Sequence, residues 1–306
     1  MARAYASIVL KAPVETVWSL VRDFNGMPSW APAVARSEIE GGLDSDVVGC
    51  VRSLYTRDGA HVRERLLTLD DASHSFAYNF EKPAFPVNNY IATVRLYPVT
   101  RTDGTFAEWE ATFDEAAGDE GKYEGMISRE VFAANWANLA KIITAKKPEK
   151  RDGAARWKGF QPNKVWTSRV IRAPVDKVWG VMRDFAGMGA WHEDITKMHM
   201  LGGVRSDKVS GIRDFYFGEG HLNEELLHLC DRSRSFSYRI TKCEIPWINY
   251  VSGARLWPVT ANNTTFGAWT GDWDASPQDD LVLIPRTEQN VYQKAFNTVE
   301  GMLRRA

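Results

Sequence analysis

Ala12-Pro13-Val14-Glu15-Thr16-Val17-Trp18, continued by Arg22-Asp23-Phe24-Asn25-Gly26-Met27 and Trp30, returns 161 residues later as Ala173-Pro174-Val175-Asp176-Lys177-Val178-Trp179, Arg183-Asp184-Phe185-Ala186-Gly187-Met188 and Trp191. Of the 19 positions from 12 to 30, 11 are identical at that offset. Downstream, Gly41-Gly42 recurs as Gly202-Gly203, Asn89-Tyr90 as Asn249-Tyr250, and Leu96-Tyr97-Pro98-Val99-Thr100 as Leu256-Trp257-Pro258-Val259-Thr260. A period of this length marks a duplicated domain, because solenoid repeats run about 20–50 residues. At 306 residues the chain has room for two domains, each able to bury its own core.

Working outward from that stretch, each copy opens with an alternating segment, Tyr5–Leu10 or Trp166–Ile171, that reads as a strand. Pro13 or Pro174 then starts a helix, where a missing N–H costs nothing. Val14, Val17, Trp18 and Val21, matched by Val175, Val178, Trp179 and Met182, give that helix one apolar face. Asn25-Gly26 or Ala186-Gly187 breaks it. Short strands follow: Ser75–Phe80 and Ser235–Ile240 alternate and place Tyr78 and Tyr238 on one face. On a later strand Ala107-Trp109-Ala111-Phe113 and Gly267-Trp269-Gly271-Trp273 share a face. The small residues there either border a hollow or make room for a helix. Phe132, Trp136, Leu139 and Ile143, like Tyr292, Phe296, Val299 and Leu303, form the buried stripe of a long closing helix. The order predicts an α+β fold, two tandem domains each with a curved antiparallel sheet around its last helix. The boundaries are 1–147 and 160–306, with a charged, Pro- and Gly-broken linker at 148–159.

Composition removes several function classes. With 38 basic and 39 acidic residues the net charge is -1, so no cationic excess exists to drive nucleic-acid binding. No secretory leader pattern or membrane-length apolar run occurs, and three cysteines do not make a disulfide framework; these features together suggest a cytoplasmic protein. Glycine-rich phosphate loops and nucleophile elbows are absent from the sequence, so no cofactor is expected. Cys230 and Cys243 are too far apart for a metal knuckle, and no metal is expected either.

Each copy resembles the Bet v 1-like superfamily, also called START or SRPBCC, in its bacterial polyketide cyclase/dehydrase branch. The resemblance rests on the Ala-Pro-Val…Val-Trp opening, Arg-Asp-Phe-x-Gly-Met…Trp, the Gly-Gly pair, Glu64-Arg65-Leu66-Leu67, Phe85–Tyr90 with its counterpart Ile245–Tyr250, and Trp109 with Trp269. It implies a helix-grip cavity holding a hydrophobic, aromatic or polyketide-like small molecule. Plant hormone-receptor relatives imply a pocket lined by a base, an acid and a phenol. The matching positions look like Arg36, Glu64 and Tyr90, and Lys197, Glu224 and Tyr250. The gate-like loops Arg57-Asp58-Gly59 and Gly218-Glu219-Gly220 lack the receptors' proline, which tells against hormone-style gating.

A buried carboxylate, a cation and a phenol form a kit for proton transfer beside a carbonyl, as in cyclisation or dehydration. The same groups also serve merely to orient a ligand. His192 and His221 are acid–base candidates or surface residues, and Ala31 and Ala60 stand in their places in the first copy. Trp30, Trp191, Trp109 and Trp269 are expected at the mouth or floor of the cavity, with Trp136 and Phe296 facing it from the helix. Three readings follow: cyclase, aromatase or dehydratase; non-catalytic carrier or sensor; or one degenerate copy serving as a partner surface or homo-oligomer contact. The first two require an interior void.

Overall fold

Pro13 and Pro174 stand one residue before the first helix of each half and offer their carbonyls to its first turn, Thr16 N–H at 3.0 Å and Lys177 N–H at 3.0 Å. Proline fits there because its fixed φ suits a helix entry. The computed structural model describes residues 1–145 and 163–305, which divide into two compact units; the expected linker at 148–159 lies outside the described residues.

In the first unit β1 (Ala2–Leu10) and α1 (Val14–Val21) precede six strands: β2 (Val34–Ile39), β3 (Val51–Thr56), β4 (His61–Asp70), β5 (Ser75–Lys82), β6 (Val87–Val99) and β7 (Gly104–Glu115). They form one antiparallel sheet in the order β1-β7-β6-β5-β4-β3-β2. The closing helix runs from α2 (Lys122–Met126) through a π-helical turn, Ile127–Ala133, into α3 (Ala134–Ala145).

The second unit repeats the plan. It comprises β8 (Val165–Ile171), α4 (Val175–Met182), a short α5 (Met188–Trp191), β9 (Ile195–Met200), β10 (Ile212–Phe217), β11 (Gly220–Cys230), β12 (Ser235–Cys243), β13 (Ile248–Val259) and β14 (Thr264–Asp274). The sheet order is β8-β14-β13-β12-β11-β10-β9. Its closing helix is α6 (Pro277–Arg286), a π-helical turn at Thr287–Gln293, and α7 (Lys294–Arg305). The fold is thus the expected α+β pair of helix grips. The π turns were not legible in the sequence. They recur at the same place in both units, and such turns are rare overall and frequent at functional sites.

The repeated motifs now have physical causes. Both glycines of Gly41-Gly42 and of Gly202-Gly203 take positive φ, between 65° and 72°, which side chains resist. Trp18 and Trp179 are buried in the α1 and α4 stripes, and each indole N–H donates to an aspartate, Asp71 or Asp231, at 2.8 Å. The adjoining Arg22 or Arg183 pairs with the same carboxylate. Thus Arg-Asp-Phe-x-Gly-Met begins with a clamp on the loop after β4 or β11. Among the described residues, no helix is long and apolar enough to cross a membrane.

Candidate ligand-binding site

Strand alternation turns Glu64 of β4 and Glu224 of β11 inward, where each is 5% exposed. Directly opposite in register stand Arg52 on β3 and Arg213 on β10, each 2% exposed. Arg52 Nε donates to Glu64 at 2.6 Å and Arg213 Nε to Glu224 at 2.7 Å. Each guanidinium also donates to a main-chain carbonyl, Phe24 or Phe185, and lies over that residue's ring at 3.8 or 3.9 Å. Burial pushes both carboxyls up from their ordinary range, and the arginine opposes it.

The bases expected beside these acids are elsewhere. Arg36 is 58% exposed, pairs with Glu38 at 3.3 Å and lies over the Tyr55 ring; Lys197 is exposed over Tyr216. A β-bulge between Val34 and Arg36 resets the alternation, and Lys197 sits at φ 55°, so neither side chain turns inward. The true partners had a legible signal: Val51-Arg52 and Ile212-Arg213 repeat at the same offset as the opening motif.

Asn89-Tyr90 and Asn249-Tyr250 are bulges as well. Asn89 and Asn249 take φ of 51° and 53°, and their amides donate to Asp114 at 2.7 Å and Asp274 at 2.6 Å. The kink delivers Tyr90 and Tyr250 to the interior. There Tyr78 accepts the Trp109 indole N–H at 3.1 Å. In the second unit the phenols extend into a chain: Tyr250 and Tyr292 hydroxyls are 2.5 Å apart, Ser252 Oγ is 2.9 Å from Tyr292, and Trp269 donates to Ser252 at 3.0 Å. Ala92 and Phe132 occupy the Ser252 and Tyr292 positions of the first unit, which therefore lacks this chain. Burial raises all these phenols, Tyr238 to about 12 and Tyr250 and Tyr292 well above the usual value. They are donors near neutrality rather than bases.

The alternating small residues make room for a helix. A Cβ at Gly271 would overlap the Tyr292 hydroxyl, and one at Gly267 would meet the Phe296 ring at 3.0 Å. In the first unit Trp109 stacks on Phe132 at 4.7 Å and meets Trp136 at 5.6 Å, while Trp30 and Trp136 lie parallel at 6.4 Å. Trp30, Trp109 and Trp136, expected around a void, cluster with one another between sheet and helix. Trp269 likewise stacks on Tyr292 at 5.0 Å and meets Phe296 at 5.5 Å. Trp191 is buried as well.

The second unit has a cleft with a volume of about 630 Å³. One wall is the closing helix, with Arg286, Asn290 and Lys294; the other is Phe217–Gly220 of the β10–β11 hairpin, with Asp194 and Ile245. Of its nine lining residues Phe217 and Ile245 are apolar and the other seven are charged, polar or glycine.

A family model described as polyketide cyclase / dehydrase and lipid transport matches residues 1–144 and again 162–300. The chain belongs to that family. An abscisic acid receptor of Arabidopsis thaliana, PYL7, is 30% identical over 92 residues, which is 29% of this chain and 42% of the receptor. The chain thus matches less than half the length of that curated relative. A solved protein from Nitrosospira multiformis is 31% identical, covering 47% of this chain and 97% of its own, with a TM-score of 0.41. The di-domain ARO/CYC BexL from the BE-7585A biosynthetic pathway covers 98% of both chains at 13% identity and a TM-score of 0.39.

This polyketide cyclase / dehydrase family chain carries its two distinctive histidines in the second unit. His192 is not a surface residue: it is 1% exposed, its Nδ1 accepts the Asp194 N–H at 3.4 Å, and burial pulls its pKa down. Its ring is 5.7 Å from that of Phe217, one layer behind the cleft. His221 lies on the sheet beside Asp214, 2.7 Å from its carboxylate.

Proposed function

We propose that this chain captures a hydrophobic, aromatic or polyketide-like small molecule in its second unit and acts as a carrier or sensor. The observation that supports the reading is the open cleft between the closing helix and the β10–β11 hairpin, where Phe217 and Ile245 stand among charged and polar residues. Family membership supports the class of ligand. Both buried carboxylates are committed to arginines, which favours orientation over general-base work. Native mass spectrometry of the full chain titrated with 2-naphthol is expected to show one bound equivalent. An unliganded spectrum at millimolar 2-naphthol would end the reading.

One observation favours a catalytic elaboration. The Tyr250–Tyr292–Ser252 chain is buried in the same unit, outside the cleft lining, and its protonated phenols are donors of the kind a developing oxyanion needs in a cyclase or dehydratase. Under that reading Tyr292→Phe lowers turnover of a polyketide substrate at least tenfold while binding persists. Equal turnover removes the phenol chain from the reaction.

A further inference from the structure

The residues of the cleft also bear on which charge its guest carries. Arg286, Asn290 and Lys294 follow one another at four-residue spacing along the helical wall, through the π turn. Lys294 is committed: its ammonium pairs with Glu193 at 2.7 Å and Asp194 at 2.6 Å. Among the described residues Arg286 has no ion-pair partner, although it lines the cleft and is only half-buried. Glu219, the other acidic residue of the lining, lies across the cleft at the hairpin tip. The corresponding wall of the first unit, aligned through Phe132 and Trp136, carries Met126, Glu130 and Ala134 and no cation.

We infer that the second unit selects an apolar molecule bearing a single anionic group, a carboxylate or sulfonate, which the Arg286 fork holds at the rim while the body lies against Phe217 and Ile245. A planar guanidinium takes two oxygens of such a group at once, and an uncommitted one in a cleft gains more from it than from water. The inference rests on the proposed ligand-binding role and narrows it to a charge class.

Two dyes that differ only by the charged group test it. The full chain is titrated with 1-anilinonaphthalene-8-sulfonate and with its neutral parent N-phenyl-1-naphthylamine, and dissociation constants are read from fluorescence. The sulfonate is expected to bind about tenfold tighter than the neutral dye, as suits a charge-assisted contact. Arg286→Met places the first unit's residue there, so the helix tolerates it; this variant is expected to bind both dyes equally, with the neutral dye's affinity unchanged. Arg286→Lys restores part of the preference, and Glu219→Gln strengthens sulfonate binding. A preference that survives Arg286→Met, or equal binding of both dyes by the parent chain, overturns the charge selection and leaves the ligand-binding role standing. Failure of the parent chain to bind either dye overturns both.

Discussion

The hydroxyl of Tyr292 occupies the space above Gly271 where any other residue would carry its Cβ. The first unit solves the same packing problem with the opposite pair, Ala111 beneath Phe132. Gly271→Ala is therefore expected to destabilise the second unit by about 1–3 kcal/mol, as overpacking does. The double variant Gly271→Ala/Tyr292→Phe rebuilds the first unit's pairing and is expected to recover most of that loss. Urea denaturation followed by tryptophan fluorescence checks it; an unshifted midpoint for the single variant would refute the contact.

Arg52 and Glu64 neutralise one another in the core of the first unit. Arg52→Met strands a buried carboxylate and is expected to cost about 3–5 kcal/mol, whereas Arg52→Met/Glu64→Leu costs far less. Chemical denaturation of both variants decides between this and a solvated pair, for which single and double changes weigh alike.

The pH dependence of Glu64 has a definite sign. Its folded pKa is raised above the ordinary value of 4.5, so its contribution is fully present below 4.5 and is lost as pH rises through the folded pKa. Glu64→Gln, which cannot ionise, is therefore expected to improve relative to the parent chain as pH climbs through that window. Thermal midpoints of the two proteins between pH 4 and 8 measure it; a constant difference contradicts the raised pKa.

His192 behaves oppositely. Burial lowers its folded pKa below 6.5, so its contribution is present above 6.5 and is lost as pH falls through the folded value. Nitrogen-15 NMR of the imidazole is expected to find it less than half protonated at pH 6.5, with the neutral form's proton on Nε2 because Nδ1 accepts from Asp194. A half-protonated ring at that pH would place it in solvent.

Asn89 holds a left-handed backbone and spans to Asp114. Asn89→Ala loses both and is expected to cost about 1–2 kcal/mol, while Asn89→Gly loses less because glycine accepts that φ. Comparing the denaturation midpoints separates the two causes; equal losses would put the whole effect on the amide.

Much of this architecture could be read from spacing alone, and part of the site could not. The acids Glu64 and Glu224 and the phenols Tyr90 and Tyr250 are inside, as the resemblance implied. Arg36 and Lys197 are outside because a bulge in each sheet shifts the alternation by a residue, and bulges leave no mark in a hydropathy pattern. His192, by sequence either an acid–base candidate or a surface residue, is buried with Trp191 at the end of the short α5.

From sequence alone come the duplication, the α+β order and the apolar stripes of α1, α4 and the closing helices, since periodicity is a local property. The tertiary structure alone decided which arginine meets each carboxylate, that the indoles of the first unit cluster against Phe132, and that an uncommitted Arg286 faces a cleft in the second. Those depend on which side chains from distant strands and helices share one volume, and sequence spacing carries no measure of volume.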